Sequence, residues 1–422
     1  MSISILKRAL LVGAYLKSEA KKETEENLEE LERLCDTYGL ETIQKMAIPL
    51  KKMESATFFG SGKIDELIAL CHEEKIDLLV CDDELSPHQQ RNLEELFKRP
   101  IIDRAELIIE IFAQSAKTRE ARLQIELATI RYQFPRLKRL WTHLGRQTAG
   151  GAGFTKGAGE KQIELDRRTL RRRLSQLEKE LEAVASVREV QRKARRRSRI
   201  PTFAIVGYTN AGKSTLLNAL TQAGVVAEDK LFATLDTTVR KYFLPNRQEI
   251  LLVDTVGFIR KIPHLLVAAF KSTLEEALYT DILLHLIDVS VPTCERQAQD
   301  AMKVLEELGA TGRPIITVLN KIDRAPSPLL LHKLRLKYPK TVQVSALHGT
   351  GLDQLLEMMS VEISKLRTLF HLKIPQSQYA LISELMREGR VIASSYEEND
   401  VILEVEVPSS FEARIAPYQI SS

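Results

Sequence analysis

The stretch GYTNAGKST, Gly207 to Thr215, follows the apolar run TFAIV and opens into STLLNALTQA. A G-x-x-x-x-G-K-[ST] pattern between strand and helix commits the chain to one local arrangement. The loop's N–H groups face a polyphosphate, and the helix N-terminus adds a favourable dipole. A loop of this kind needs a βα unit around it, and βα units in series need a mostly parallel sheet covered by helices on both faces. The runs EILLVDT, ILLHLIDV, PIITVLN and TVQVSA, separated by helical segments, supply the further strands. An α/β nucleotide-binding domain with a parallel sheet is therefore expected over residues 200–366.

The rest of the 422 residues exceeds what one core usually organises and divides into three further parts. Residues 1–112 alternate strand-like runs (RALLVGAYL, DLLVCDDEL) with amphipathic helical ones, which reads as an N-terminal α/β domain. The GSGK there, ending at Lys63, is half a phosphate loop. Thr57 stands where the first glycine belongs and Ile64 where a hydroxyl should follow, so a turn opening a helix is expected instead. Over 113–199, Leu123, Leu127, Ile130 and Phe134, then Leu170, Leu174, Leu177, Leu181 and Val184, form two apolar stripes and predict an antiparallel helical hairpin. Residues 367–422 read as a small α+β unit of βαββ order. Cys35, Cys71, Cys81 and Cys294 lack the spacing of a zinc site or a disulfide framework. No apolar run reaches the roughly 18 residues of a spanning helix, so a cytoplasmic protein is expected, with peripheral membrane association as the alternative.

Within 200–366 the chemistry is spread over five segments. Gly207, Tyr208, Thr209, Asn210, Ala211, Gly212, Lys213, Ser214 and Thr215 form the phosphate loop, in which Lys213 reaches the β and γ phosphates and Ser214 is a magnesium ligand. NKID, Asn320, Lys321, Ile322 and Asp323, ends a strand. A carboxylate at Asp323 accepts from guanine N1–H and the exocyclic amine, whereas adenine presents an acceptor at N1, so GTP is selected. Ser345, Ala346 and Leu347 complete the base pocket. In DTVGF, Asp254, Thr255, Val256 and Gly257 face the third phosphate, Asp254 holding magnesium through water and Gly257 offering its N–H. In LFATLDTTVR, Thr234, Thr237 and Thr238 are candidate metal hydroxyls in a loop ordered by γ-phosphate and magnesium, a two-state switch. Phe258 stands where many switch GTPases carry a water-orienting glutamine. Slow unassisted hydrolysis is expected, and Asn210 is the candidate ligand of a K+ ion beside the β and γ phosphates.

Between Arg136 and Arg199 the chain holds 19 Lys and Arg against 7 Asp and Glu, a surplus suited to polyphosphate surfaces. Arg167, Arg168, Arg171, Arg172 and Arg173 crowd one helix, preceded by a tract containing Gly150, Gly151, Gly153, Gly157 and Gly159 with Arg146, Lys156 and Lys161 for charge. Glycine lets such a tip pass close to other groups, which suits a polyphosphate surface, a flexible linker being the other reading. Trp141 stands just before it, either stacked on a base or packed between helices.

The segments GGAGFTKGAGEKQIELDRR, GYTNAGKST, LFATLDTTVR and DTVGF, in that order and over essentially the whole chain, resemble the HflX family of ribosome-associated GTPases. The resemblance implies four parts as delimited above and hydrolysis of GTP to GDP and phosphate. It also implies binding to the large ribosomal subunit, with the helical part reaching toward the peptidyl-transferase centre and its basic, glycine-bearing tip inserting among rRNA phosphates and bases, and dissociation of stalled or idle ribosomes. Carried over to this chain, the family's magnesium threonine is Thr234, catalytic roles fall on Lys213, Thr234, Gly257 and Asn210, and Phe232, Ala233, Leu235 and Asp236 line the nucleotide. The family usually has proline after that aspartate, where Thr237 stands here. Two competing readings are a GTP-sensing RNA-binding scaffold in ribosome assembly with little turnover, and a GTPase whose basic helix meets anionic lipid. A monomer is expected.

Overall fold

The computed structural model describes residues 7–136, 156–198, 200–221, 232, 238–261, 279–310, 312–365, 367–408 and 411–420. These fall into two compact units. The first comprises Met1–Ser186 with Glu228–Asp236 and Ile259–Ser272, and the second Val187–Ala227, Thr237–Phe258 and Thr273–Ser422.

In the first unit, strands β1 (Lys7–Tyr15), β2 (Leu40–Pro49), β3 (Leu78–Cys81) and β4 (Ile101–Asp103) form a sheet of order β2-β1-β3-β4, parallel throughout. Helices α1 (Lys21–Tyr38), α2 (Ser61–Glu73), α3 (Pro87–Phe97) and α4 (Arg104–Ser115) follow the four strands in turn, and α5 (Arg119–Gln133) follows α4. Asp103 ends β4 and caps α4, accepting from Glu106 N–H at 2.9 Å; its other oxygen accepts from Leu85 N–H. Around it Tyr132 Oη donates to Asp103 and Arg136 donates to Gln90 and to the Leu85 carbonyl, so the end of α5 is pinned by a buried polar network whose members satisfy one another. Arg104 pairs with Asp82 at 2.7 Å and with Glu30. Residues 259–261 belong to this unit too: Arg260 meets Glu26, and Lys261 meets Asp82 and Asp83.

Helix α6 (Lys156–Ser198) runs antiparallel to α5. The pairs Arg119 with Glu180, Glu126 with Arg173 and Arg131 with Glu178 join the two helices. Between them lie Leu123, Ile130 and Leu177, flanked by Leu127, Leu170, Leu174, Leu181 and Val184, the two stripes expected from spacing except Phe134, which falls in the 3-10 turn after α5.

The second unit carries a six-stranded sheet of order β10-β9-β8-β5-β7-β6, with β5 (Thr202–Gly207), β6 (Thr238–Phe243), β7 (Glu249–Asp254), β8 (Ile282–Asp288), β9 (Ile315–Asn320) and β10 (Thr341–Gln343). Of these six, the edge strand β6 alone is antiparallel to its neighbour. Continuous burial along β5, β7 and β8 matches strands covered on both faces. Helices α7 (Lys213–Thr221), α8 (Cys294–Glu307), α9 (Pro328–Lys337) and α10 (Leu352–Ser364) accompany the sheet. Mid-β8, His285 is 1% exposed, neither ring nitrogen has a hydrogen-bond partner among the described residues, and burial pulls its pKa down to about 4. The chain then forms an antiparallel sheet of order β11-β13-β12 from β11 (Arg367–Pro375), β12 (Arg390–Glu397) and β13 (Asp400–Pro408), with α11 (Tyr379–Glu388) between the first two, the expected βαββ order. All four cysteines are free and buried, and burial raises their thiols. Among the described residues no helix is long and apolar enough to cross a membrane.

Candidate nucleotide site

Strand β5 stops at Gly207, the next five residues turn, and α7 begins at Lys213, the strand–loop–helix context that the motif requires. The turn is demanding. Asn210 has φ of 60° and Gly212 of 90°, and a carbon added to Gly212 would stand 2.4 Å from Asn320 Nδ2. No side chain fits there, so the glycine is required both by its dihedral and by the approach of its neighbour.

Asn320, at the end of β9, explains that approach. Its Nδ2 donates to the Ala211 carbonyl at 2.8 Å, while its Oδ1 accepts from Ala346 N–H at 3.0 Å. One buried carboxamide thereby joins the phosphate loop to the SAL segment. Lys321, in the left-handed region at φ 62°, turns its ammonium to Asp288 at the end of β8, 2.8 Å away. Asp288 also accepts from Ser290 N–H. Sequence reasoning passed over Asp288, because DVS is not a pattern until the sheet sets β8 beside β9.

Asp323 is held on the base side. Ser345 Oγ donates to its Oδ1 at 2.6 Å, and that bond is the first cause of a carboxyl held below its ordinary range, with His348 and Arg324 assisting. The charged carboxylate is the form that accepts two N–H groups from guanine. Leu347 is exposed beside Ser345 and buried Ala346, available to a planar ring.

On the phosphate side, Lys213 is 6% exposed and its Nζ donates to the Tyr208 carbonyl at 2.8 Å. Burial lowers its ammonium to about 8, with Asp254 pulling the other way. Ser214 Oγ donates to Asp254 Oδ2 at 2.8 Å. A hydroxyl and a carboxylate placed together below a phosphate loop are the hard oxygen donors that magnesium takes, so this pair fits that ion. Thr255 spends its hydroxyl on the Ile205 carbonyl at 2.7 Å, and Val256 is buried, so both of these side chains serve the core. Gly257 lies directly over the loop, where an added carbon would be 2.6 Å from Thr209 Cα and 2.7 Å from Lys213 Nζ.

The structure thus brings together Gly207 to Thr215, Asp254 to Gly257, Asn320 to Asp323 and Ser345 to Leu347. Phe232 falls in the first unit, buried with its ring centroid 4.5 Å from that of Phe112. Ala233, Thr234, Leu235, Asp236 and Thr237 lie outside the described residues, as do Trp141, Arg146 and the glycines at 150, 151 and 153; the side chains of Lys156 and Lys161 are likewise undescribed. On α6, Arg168, Arg171 and Arg172 are exposed, whereas Arg173 is clamped by Glu126 at 2.6 and 2.7 Å. The spacing of arginines showed no such distinction, because the acid sits on the other helix.

A phosphate loop joined through the buried Asn320 to an Asn-Lys-x-Asp segment, with a DTVG segment beside it on a mostly parallel sheet, defines a P-loop GTPase. Residues 202–321 match the family described as "50S ribosome-binding GTPase", residues 25–113 "GTP-binding GTPase N-terminal" and residues 115–195 "GTP-binding GTPase Middle Region". The chain is 45% identical over 414 residues to GTPase HflX of Chlamydia pneumoniae, covering 97% of this chain and 88% of that one. It is 40% identical over 404 residues to GTPase HflX of Escherichia coli, covering 95% and 93%. Among solved structures, that described as "crystal structure of SsGBP and GDP complex" is similar at 29% identity and a TM-score of 0.50, over 86% of this chain and 99% of the other. The chain belongs to the HflX family of GTPases.

Proposed function

We propose that this GTPase docks on the large ribosomal subunit in its GTP-bound form, through the basic face of α6 and the glycine-bearing tip, and that hydrolysis to GDP and phosphate releases it. The action proposed is dissociation of stalled or idle ribosomes. The observation that carries the reading is the exposed row Arg168, Arg171 and Arg172 on a helix braced against α5 by apolar packing and by the clamp of Glu126 on Arg173. A braced helix presents its exposed arginines without having to order its own backbone, and each phosphate neutralised releases counterions.

In the nucleotide site, Ser214 and Thr234 are the proposed magnesium ligands, with Asp254 behind them. When bound, the metal neutralises charge on the β and γ phosphates. Lys213 supplies a second positive charge, Gly257 offers its N–H to the third phosphate, and Asp323 selects guanine. Asn210, turned by its positive φ, is the proposed contact for K+. Pelleting of the full chain with purified large subunits and a non-hydrolysable GTP analogue, over a salt series, tests the docking face. Changing Arg168, Arg171 and Arg172 to Gln should weaken pelleting and lower the salt slope by roughly 0.7 to 0.9 for each phosphate no longer neutralised. An unaltered slope would place the docking face elsewhere. GTP turnover should rise on adding subunits, and equal rates in potassium and sodium buffers would remove the K+ role.

A further inference from the structure

The loop that follows β10 brings to Asp323 a side chain that belongs to no motif. Ser345 N–H donates to the Thr350 carbonyl at 3.0 Å, closing a short loop in which Gly349 takes φ of 75°. His348 stands in that loop. Its N–H donates to Ser345 Oγ at 3.4 Å, the same hydroxyl that donates to Asp323 Oδ1 at 2.6 Å, so its place is set by main-chain atoms and by the serine. The imidazole Nε2 stands 4.0 Å from Asp323 Oδ2, on a side chain that is 61% exposed. Arg324 Nε lies 3.8 Å from the same oxygen. Both are beyond hydrogen-bond reach and close enough for charge to be felt.

The two oxygens of Asp323 therefore differ. Oδ1 is engaged by the serine hydroxyl, which takes one lone pair and leaves another for a base N–H. Oδ2 faces one side chain that is always a cation and one that is a cation only when protonated. Guanine spans a carboxylate with N1–H and its exocyclic amine, so it calls on Oδ2. An imidazolium calls on it too, because a turn of the exposed side chain closes 4.0 Å to the roughly 2.8 Å of a charge-assisted hydrogen bond. The neighbouring ammonium of Lys321 is spent on Asp288.

We infer that His348 is a positioning residue of the base pocket: protonated, it competes with guanine for Asp323 Oδ2 and makes nucleotide binding weaken with acidity, a role that rests on the reading of Asp323 as the acceptor for guanine. Histidine is the side chain that gains its charge between about pH 8 and pH 5. Asp323, whose carboxyl Ser345 holds below its ordinary range, and the guanidinium of Arg324 keep theirs over that interval. Exposed pairs of this kind are weak, so the competition should cost guanine about twofold to fivefold in affinity.

The test is titration of the full-length protein with GDP and magnesium at pH 8 and at pH 6. Between the two, wild-type affinity should fall by about twofold to fivefold more than that of His348→Gln, which lacks the charge. Protonation of the nucleotide's own phosphates is common to both proteins and cancels. His348→Lys, a cation at either pH, should already bind weakly at pH 8 and lose no more than His348→Gln on acidification. Added salt should narrow the extra wild-type response, because the pair reaches solvent. An identical pH response in wild type and His348→Gln, a His348→Lys protein that matches His348→Gln at pH 8, or an extra response indifferent to salt overturns the competition. Asp323→Asn protein that binds GDP as tightly as wild type would instead remove Asp323 as the guanine acceptor, a separate outcome.

Discussion

The chain contains two glycine-bearing turns that lead into a helix and carry Gly-Lys, GSGK at 60–63 and GYTNAGKS at 207–214, and their surroundings differ sharply. At Gly60 and Gly62 an added carbon would meet nothing within 4 Å among the described residues, and Lys63 pairs with Glu66 on its own helix. At Gly212 the carbon would strike Asn320, at Gly257 it would strike Thr209 and Lys213, and Lys213 itself is buried. Glycine is a convenience in the first turn and a necessity in the second. What separates a phosphate site from a lookalike is the approach of groups from other strands, which compels the missing side chain.

The sharpest way to break this contrast is to put a methyl group in each turn. Gly212→Ala should lower GDP and GTP affinity by at least about 100-fold, since positive φ and the Asn320 clash combine; fluorescence titration reads it, and near-normal binding would mean the loop is not the site. Asp323→Asn comes next. Removing the acceptor proposed to face guanine should weaken GTP binding by about 10-fold to 100-fold while improving xanthosine triphosphate, whose carbonyl the new amide can donate to. A parallel weakening of both would show that the carboxylate does not read the base.

A third experiment turns from the glycines to buried charge. The first unit's buried Arg104 is matched by Asp82 and Glu30, but His285 in the second has no such match among the described residues. Its pKa, lowered to about 4 by burial, means that below about pH 6.5 the unfolded chain takes up a proton that the folded chain refuses. Stability is thus fully present above that pH and falls progressively down to about pH 4, by on the order of 3 kcal/mol. His285→Leu should flatten the difference between thermal melts at pH 8 and pH 5; an unchanged difference would assign the acid sensitivity to other groups. Smallest of all, Gly62→Ala should leave nucleotide binding untouched and raise the melting temperature slightly, because it relieves an unneeded glycine in α2, worth about 0.5 to 1 kcal/mol. A drop in GTP binding there would reopen the first turn as a phosphate site.

The phosphate loop, NKID and DTVG were legible because each motif encodes a backbone course together with its chemistry. The helix pair was legible from the leucine spacing for a similar reason, since burial on one face leaves a period in the chain. Three features were not. The bridge of Phe258 to the phosphate loop, in which Thr209 N–H donates to the Phe258 carbonyl and Phe258 N–H to the Gly207 carbonyl, is made by main-chain atoms, which every residue carries. The clamp of Glu126 on Arg173 depends on how two helices register across an intervening stretch. The partnership of Asp288 with Lys321 arises only when β8 and β9 lie side by side.

Asn320 has one further implication. Because a single amide group is bolted at one end to Ala211 and at the other to Ala346, the segments proposed to grip sugar-phosphate and purine are one mechanical part. On the proposed reading, a nucleotide with the wrong base strains its own phosphate seat, and discrimination is felt at both ends of the molecule at once.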